Sequence, residues 1–331
     1  MSDGNGLFAG FVMTYRRPKI LARTLEALLG QTRVPELLLV VDNAASPATE
    51  EVVAGCQTDR VVYHPMAENL GPAGAAKTAL QRLTRLGFDW IYWGDDDDPP
   101  RMPDDLETLL GFAREGKFQP DSRLAGVALS GVRWNWSTGA PQRIQDRELE
   151  GPVSLDAVPG SCQMILSSKA IRATGWPDER LFWGLEDYEY CLRLRREGYR
   201  IYAPGARMLE NRRRAGRLDL QTGRSSVPKM LPKELPRAYY STRNYVFLMR
   251  QTFGRPDLAR RRMTKEAVRS AASWLRGPRF GASYTGWQLR AVRDALVGNM
   301  GRTVSLDGSG SLDGSVSLDD SEGDGSGGEA A

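Results

Sequence analysis

The sequence predicts an α/β fold whose central sheet is mostly parallel and carries helices on both faces. Between residues 7 and 93, short apolar runs alternate with segments whose apolar side chains recur at helical spacing. Proline stands where two of these helical segments begin, and glycine stands just after several of them end. This alternation is typical of βαβ units, in which successive strands lie side by side and run in parallel.

The first elements follow one another closely along the chain. We predict strands at 7–13, 37–41, 61–63 and 90–93, each a short apolar run without helical periodicity. The intervening helices are predicted at 18–29, 48–55 and 72–86. In a sheet built this way, ligands bind beyond the carboxyl ends of the strands.

Beyond residue 100 the pattern is less regular. Pro103 begins another helix, and Asp104 and Asp105 in its first turn favour the helix dipole. The remaining predicted elements are, in order, a strand at 160–166, a turn at 182–188, a helix that ends at Gly198, a strand at 199–202 and amphipathic helices within 237–302.

The composition excludes several kinds of site. Cys56, Cys162 and Cys191 are scattered and His64 is the only histidine, so a zinc site, a disulfide framework and a histidine base are not expected. No apolar run has the length of a membrane span, and the first residues do not resemble a signal sequence. We therefore expect a cytoplasmic protein.

The last segment differs from the rest of the chain. From Ser305 onward, Ser-Leu-Asp repeats at six-residue spacing and gives way to Gly, Ser and acids, so we expect residues 303–331 to be disordered. The segment holds seven acids and no Lys or Arg, and without it the formal charge rises from +4 to +11. The folded part is therefore basic, which suits a nucleotide, a phosphorylated lipid, an anionic membrane or a nucleic acid.

Four consecutive aspartates, residues 95–98, come directly after the predicted strand at 90–93. Neighbouring carboxylates at a strand end repel one another, and a nearby cation relieves that repulsion. Side chains alternate in extended chain, so Asp95 and Asp97 share a face and can chelate Mg²⁺ or Mn²⁺ through oxygen. The alternative is a solvated acidic loop.

Polar residues also follow the other predicted strands, which brings several segments to one crevice. There is no G-x-G-x-x-G after the first strand, and Lys77-Thr78 lacks the glycine that a phosphate-binding loop requires, so a dinucleotide site and a P-loop are excluded. The residues at the four strand ends are Thr14, Tyr15, Arg16, Asp42, Asn43, Glu68, Asn69, Gly71, Asp95, Asp96 and Asp97.

A second acidic pair, Glu186 and Asp187, stands where a predicted helix begins. One interpretation is helix capping and compensation of the helix dipole. The other is general-base catalysis, in which a carboxylate takes the proton from an incoming hydroxyl.

With these motifs in order, the chain resembles the family 2 glycosyltransferases of the GT-A fold over roughly residues 7–210. The resemblance rests on the stretches 11–18, 41–43, 68–74, 95–100 and 183–188, with Arg193 and 198–199. Within the family the chain looks most like rhamnosyl and galactofuranosyl transferases, because 240–244 and 293–298 are similar to their C-terminal helices.

The resemblance implies a role for each motif residue. Asp95 and Asp97 would hold Mn²⁺ or Mg²⁺ against a diphosphate, Asp187 would be the general base, and Glu186 would orient the acceptor or the base. Trp183 and Gly184 would contact the acceptor. The nucleotide-sugar donor would be bound by Thr14, Tyr15, Arg16, Asp42, Asn43, Asn69, Gly71, Asp95 and Asp96.

One departure from the family pattern concerns the metal. Many relatives have a histidine ligand shortly after the strand that ends here near Tyr202, whereas this chain has no histidine there. Two alternatives follow: Glu210 replaces it as an oxygen ligand, or the aspartates, the diphosphate and water hold the ion.

The resemblance also implies a division of the chain. We expect a catalytic domain at 1–210, with nucleotide binding at 7–100 and the acceptor and base region at 101–210. A basic flexible loop at 211–236, which contains Arg212, Arg213 and Arg224, and a helical region at 237–302 would follow.

The expected activity is inverting transfer of a sugar from a nucleoside-diphosphate donor to a hydroxyl of a glycan or lipid-linked acceptor. The arginine-rich C-terminal helices would either lean on the inner face of an anionic membrane or simply cap the domain. Other interpretations are an inactive relative that binds nucleotide-sugar, and a basic module for nucleic acid or membrane without chemistry. No nucleic-acid partner is expected, because a surface that binds nucleic-acid phosphates has no need for the two acidic clusters at 95–98 and 186–187. A sugar-phosphate nucleotidyltransferase would show a glycine-rich basic loop after the first strand. Residues 14–18 contain no glycine, so this class of enzyme is not expected.

Overall fold

The computed structural model describes residues 6–116, 118, 123–161, 163–218 and 230–306. The expected disorder of the tail from residue 307, and the part of the expected basic loop at 219–229 with Arg224, lie outside these residues, as does Cys162.

An eight-stranded sheet forms the centre of the molecule, with strand order β3-β2-β1-β4-β9-β5-β10-β8. β1 pairs in parallel with β2 and β4, and β2 pairs in parallel with β3, so the first four strands are all parallel. β9 is antiparallel to both neighbours, and β8 is antiparallel to β10 at the far edge. The strands of this sheet are β1 Phe8–Thr14, β2 Leu37–Asp42, β3 Val61–Pro65, β4 Trp90–Asp95, β5 Arg123–Ala128, β8 Pro152–Leu155, β9 Met164–Ser167 and β10 Tyr199–Pro204, while β6 Arg133–Asn135 and β7 Ala140–Gln142 form a separate hairpin.

Helices cover both faces of the sheet. They are α1 Pro18–Leu29, α2 Pro47–Gly55, α3 Gly71–Arg85, α4 Asp105–Glu115, α5 Ser168–Thr174, α6 Glu186–Arg196, α7 Gly205–Arg214, α8 Leu235–Phe247, α9 Pro256–Ser273 and α10 Pro278–Val297. No helix within the described ranges has both the length and the apolar character that crossing a bilayer requires.

Two apolar cores, one on each side of the sheet, explain why these elements form. Alternate residues of β1 point to opposite faces, so Phe11 packs in the core with α3 and Val12 packs in the core with α1. Leu21, Leu25 and Leu28 recur at helical spacing on α1 and are fully buried. The predicted α/β architecture with a mostly parallel sheet is confirmed.

Three predicted boundaries differ from the structure. Residues 303–306, expected to begin the disordered tail, are ordered: the Tyr240 hydroxyl donates to the Val304 carbonyl at 2.7 Å, and the Val304 side chain is buried. The strand expected at 160–166 begins only at Met164, because Gly160 has a φ of 66° and lies in a 3₁₀ turn at Pro159–Ser161. Helix α7 continues through Arg214, so the loop expected from residue 211 begins as helix, and Arg212 bonds to Asp146 across the fold.

The C-terminal helices pack together against the sheet domain. α10 lies against α8 and α9, and Tyr239 and Tyr240 of α8 are buried between α10 and Phe182. This contact brings α8 to the segment that precedes the Glu186-Asp187 pair. The helical region is therefore part of the wall around the candidate site.

Candidate active site

A cavity of about 560 Å³ opens at the carboxyl ends of β1 and β4. This is the edge at which parallel α/β sheets bind ligands. Of the predicted site residues, those that line the cavity are Thr14, Tyr15, Asn43, Asn69, Gly71, Asp95, Asp97, Trp183, Gly184, Glu186 and Asp187. Both acidic clusters of the sequence therefore lie on one cavity.

The end of β1 is joined to the aspartate run by short polar contacts. Thr14 Oγ1 donates to Asp96 Oδ2 at 2.6 Å, and Asp96 is fully buried. Arg17 bridges the run, with Nη2 at 2.5 Å from Asp96 Oδ1 and Nη1 at 2.6 Å from Asp97 Oδ2. The sequence interpretation chose Arg16, but Arg16 has a φ of 55°, stacks its guanidinium over the Tyr15 ring and does not line the cavity.

Asp42 has a different position from the one expected. It is fully buried, and its carboxylate accepts hydrogen bonds from the backbone of Ala44 and Ser46 and from the Tyr63 hydroxyl. These contacts fix the turn after β2. The carboxylate is used within the fold and does not line the cavity.

The residues after β2 and β3 shape the opposite wall. Asn43 donates to the carbonyl of Gly71 at 3.3 Å, and Asn69 Oδ1 accepts from Gly71 N at 2.9 Å. Gly71 has a φ of 67°, and a Cβ there would stand 2.1 Å from the carbonyl oxygen of Phe182. Only glycine allows α3 to start this close to the 182–185 segment.

The acidic run crowds several carboxyl groups at the edge of the cavity. Burial raises the pKa of Asp95 to about 8, and the charges of Asp96 and Asp97 reinforce the rise while Arg17 opposes it. Asp187 adds to the same effect, so carboxylates from distant parts of the chain act on one another across the cavity.

Glu186 and Asp187 occupy the first turn of α6 and are both buried. Asp187 Oδ2 accepts from Gly160 N at 2.5 Å and Oδ1 accepts from Tyr188 N at 2.7 Å. Burial raises the pKa of Asp187 to about 6, although these hydrogen bonds oppose the rise. Burial and the adjacent charge of Asp187 raise the pKa of Glu186 to about 8. Both pKa values are raised chiefly by burial, so this adjacent pair resists carrying two negative charges at once.

The turn before this pair has an unusual backbone. Phe182, Gly184 and Leu185 have φ values of 60°, 81° and 71°, a region that residues with a side chain rarely adopt. The Asn244 side-chain amide donates to the carbonyls of Leu181, Trp183 and Gly184 at 2.8–3.0 Å. The fully buried Arg243 donates to the same Leu181 carbonyl at 3.0 Å. Helix α8 therefore holds the turn that carries Trp183.

Two cations of the C-terminal region also line the cavity, and the sequence interpretation missed them. Arg237 lies on α8 with its guanidinium 5.7 Å from the Trp183 ring centroid, and Arg302 follows α10. Neither stands in a recognisable motif, and only the packing of α8 and α10 reveals them. Trp183, expected to contact the acceptor, lines the cavity, whereas Trp134 packs with Tyr188 and Trp136 packs with Phe253.

Glu210 is not placed near the acidic cluster. It pairs with Arg213 at 3.1 Å and with Arg214 at 2.6 Å on its own helix, and it does not line the cavity. Those two arginines, Arg214 first, lower the pKa of Glu210. Of the two alternatives for the missing histidine, the structure gives no support to Glu210 as a ligand, because arginines of its own helix hold its carboxylate.

The cavity residues fit a hard divalent cation. The pKa of Asp95 is raised, in part by the charges of neighbouring acids. Glu186 Oε2 is buried without a hydrogen-bond partner among the described residues. A cation bound at Asp95 would relieve the repulsion among the acids around it, and carboxylate oxygen is the ligand that Mg²⁺ and Mn²⁺ prefer. No group of three or more His, Cys, Asp and Glu side chains in the described ranges is arranged to hold a metal alone, so a substrate diphosphate would have to complete the coordination.

Residues 11–168 match the family model described as glycosyl transferase family 2. Over these residues the chain is similar to the family 2 glycosyltransferases. It includes the aspartate run, while Glu186, Asp187 and the C-terminal helices lie beyond the matched residues. The family resemblance read from the motifs is confirmed.

Curated relatives extend the similarity. The chain is 32% identical over 201 residues to the galactofuranosyltransferase GlfT1 of Mycolicibacterium smegmatis. The aligned region covers 56% of this chain and 65% of that protein. It is 31% identical over 203 residues to GlfT1 of Mycobacterium tuberculosis (strain CDC 1551 / Oshkosh), which is 56% of this chain and 64% of that protein. The match thus spans a little under two thirds of these relatives.

A solved structure supports the fold. The mannosyltransferase PcManGT from Pyrobaculum calidifontis, in complex with GDP-Man and Mn²⁺, aligns with 90% of this chain and 88% of its own chain. The TM-score is 0.50 at 15% sequence identity. The chain has the GT-A fold, as the motif series predicted.

Proposed function

We propose that this protein is an inverting glycosyltransferase that moves a sugar from a nucleoside-diphosphate donor to a hydroxyl of a glycan or lipid-linked acceptor. The observation that carries the proposal is that Asp95 and Asp187, which are far apart in the sequence, line one cavity. The names of the curated relatives favour galactofuranose among the sugars considered.

Asp187 is the proposed general base. The backbone N–H groups of Gly160 and Tyr188 fix its carboxylate, and they favour the ionised form that accepts a proton. The acceptor oxygen attacks the anomeric carbon, its proton passes to Asp187, and the bond from that carbon to the diphosphate oxygen breaks. A single displacement of this kind inverts the anomeric centre.

Asp95 and Asp97 are the proposed metal residues, and a bound Mn²⁺ or Mg²⁺ would neutralise charge on the departing diphosphate. Arg17 holds Asp96 and Asp97 in place from the side of β1. Thr14, Tyr15, Asn43, Asn69 and Gly71 form the proposed donor wall, and Trp183 and Gly184 form the proposed acceptor wall.

The experiment that tests the activity is a thermal-shift screen of nucleoside diphosphates and their sugars, with and without Mn²⁺. A ligand that binds only the folded protein raises the midpoint by mass action, so the donor should stand out, and more strongly with the metal. Transfer to acceptor alcohols is then assayed with that donor. Binding without any transfer would favour an inactive relative, and no binding at all would contradict the proposal.

The pH dependence of transfer follows from the pKa of about 6 for Asp187. The base must be ionised, so kcat/KM should rise roughly tenfold per pH unit below that value and level off above it. The profile is measured at saturating metal with a donor whose own groups do not titrate there. A rate that falls as pH rises through 6 would contradict the assignment of Asp187 as base.

Asn244→Ala tests how α8 supports the site. The change removes the donors to three carbonyls of the 181–184 turn, so acceptor KM should rise and kcat should fall, together roughly tenfold, while donor affinity is retained. Steady-state kinetics, with donor and acceptor varied separately, measure the acceptor KM, kcat and the donor KM independently.

Tyr245→Phe is the matched control for that change. Tyr245 lies on the same helix, and the change removes a buried hydrogen bond to the Gly139 carbonyl at 2.7 Å, which is not one of the bonds to the 181–184 turn. It should cost about 1 kcal/mol of stability and leave the acceptor kinetics unchanged. Equal kinetic losses in both variants would show that Asn244 acts only through overall stability.

A further inference from the structure

The turn between α9 and α10 exposes two large apolar side chains. Trp274 is 51% exposed and Leu275 is 81% exposed, and Leu231, just before α8, is 51% exposed. Water contact with this much apolar surface is unfavourable, and adjacent exposed apolar side chains on a turn often mark an interaction site.

This turn is held in a fixed position next to the segment that leads into α8. Arg276 Nη1 donates to the carbonyl of Met230 at 2.7 Å, and the Arg276 guanidinium lies 3.7 Å from the Phe280 ring centroid. The Trp274 ring packs against Gly281, where a Cβ would stand 2.7 Å from it. The exposed side chains are therefore presented by an ordered turn.

The same region adjoins the candidate active site. Met230 and Phe280 pack on the cluster that contains Phe182 and Leu235, and Trp183 packs on that cluster as well. Arg237, two residues after Leu235, lines the cavity. The exposed apolar patch thus lies on the side of the molecule where the cavity is bordered by α8.

The exposed charges in the two segments that form the patch are of one sign. In residues 230–237 and 274–282, the exposed charged residues are all cations, namely Lys233, Arg237, Arg276 and Arg279. Glu234 is half-buried and accepts from the backbone N–H of Leu231 at 2.6 Å. Exposed apolar side chains flanked by cations complement a surface whose anionic groups lie over an apolar interior.

We propose that this patch, formed by Leu231, Trp274 and Leu275 with Lys233 and Arg279, docks the protein on an anionic lipid bilayer. Trp274 lies at headgroup level and Leu275 enters the acyl boundary, while the cations contact lipid phosphates. Docking in this way brings the border of the cavity to the membrane surface. The proposal concerns a surface outside the reacting residues and does not depend on which sugar is transferred.

The test is co-sedimentation of the whole protein with vesicles of phosphatidylcholine alone and of phosphatidylcholine mixed with phosphatidylglycerol. The protein should bind the mixed vesicles and bind the neutral ones at least about tenfold more weakly. Salt should weaken the binding, because the lipid and protein charges are screened. Leu275→Asp combined with Trp274→Ala should reduce partitioning into the mixed vesicles at least about tenfold.

Two further variants make the result decisive. Leu86→Asp changes a side chain that is 55% exposed in the turn after α3, at the opposite end of that helix from the cavity, and should bind vesicles like the unmodified protein. Lys233→Glu with Arg279→Glu leaves the apolar tip intact and should lose the preference for anionic lipid. The proposal is overturned if the Leu275 and Trp274 variant binds normally. It is also overturned if that variant changes only the oligomeric state in size-exclusion chromatography, because the patch would then join two copies of the chain.

Discussion

Asp187→Asn should lower the rate of sugar transfer roughly a thousandfold while leaving donor affinity nearly intact. The amide has nearly the shape of the carboxylate but cannot accept the acceptor's proton. Loss of the raised-pKa carboxylate should also remove the rise of the rate through pH 6. Single-turnover kinetics with saturating donor measure the chemical step, and calorimetry measures donor binding.

The matched control for that variant is Glu189→Gln, on the same helix. Glu189 is buried but pairs with Arg193 and does not line the cavity, so its substitution should reduce stability and have little effect on the chemical step of the folded enzyme. Transfer by Asp187→Asn at the rate of the unmodified protein would remove Asp187 from the role of base.

Asp95→Ala should abolish metal-dependent donor binding and reduce transfer to the background rate. The substitution removes the carboxylate that faces the other acids across the cavity, and the remaining Asp97 is already held by Arg17 at 2.6 Å. Without ligand, the variant should be no less stable than the original, because a source of repulsion is gone. Thermal midpoints with and without donor and Mn²⁺ measure both effects.

Asp98→Asn is the control for the aspartate run. Asp98 Oδ1 lies 3.6 Å from Arg101 Nη2, and Asp98 does not line the cavity. Its substitution should therefore leave the metal-dependent shift of the thermal midpoint unchanged. Excess chelator should reproduce the Asp95→Ala behaviour in the unmodified protein. Donor affinity that does not respond to chelator would show that the metal assignment is wrong.

The sequence predicted best those parts of the fold that depend only on neighbouring residues in the chain. Apolar runs, Pro18 and Gly30 were enough to place β1 and α1, and strand ends then placed Thr14, Asn69 and Asp95 at one edge of the sheet. The sequence did not distinguish Arg16 from Arg17. That choice depends on the backbone after β1, where a φ of 55° turns Arg16 away and leaves Arg17 across the aspartates.

Other parts of the site depend on contacts between distant segments, which no local pattern encodes. Asp42 follows a strand as the other site residues do, but the Tyr63 hydroxyl and two backbone amides occupy its carboxylate. Arg237 and Arg302 reach the cavity only because α8 and α10 pack on the 182–185 segment. Glu210 had the right chemistry for a metal ligand, but two arginines on its own helix bind it.

The most direct test of the account is a crystal structure of the protein with Mn²⁺ and the nucleoside diphosphate that the thermal screen selects, using the anomalous signal of the metal. We expect one Mn²⁺ peak about 2.1 Å from a carboxylate oxygen of Asp95 or Asp97, with the diphosphate bound to it and Asp187 facing the vacant acceptor side. A metal and diphosphate bound outside this cavity, or a diphosphate bound without metal at saturating Mn²⁺, would contradict the account.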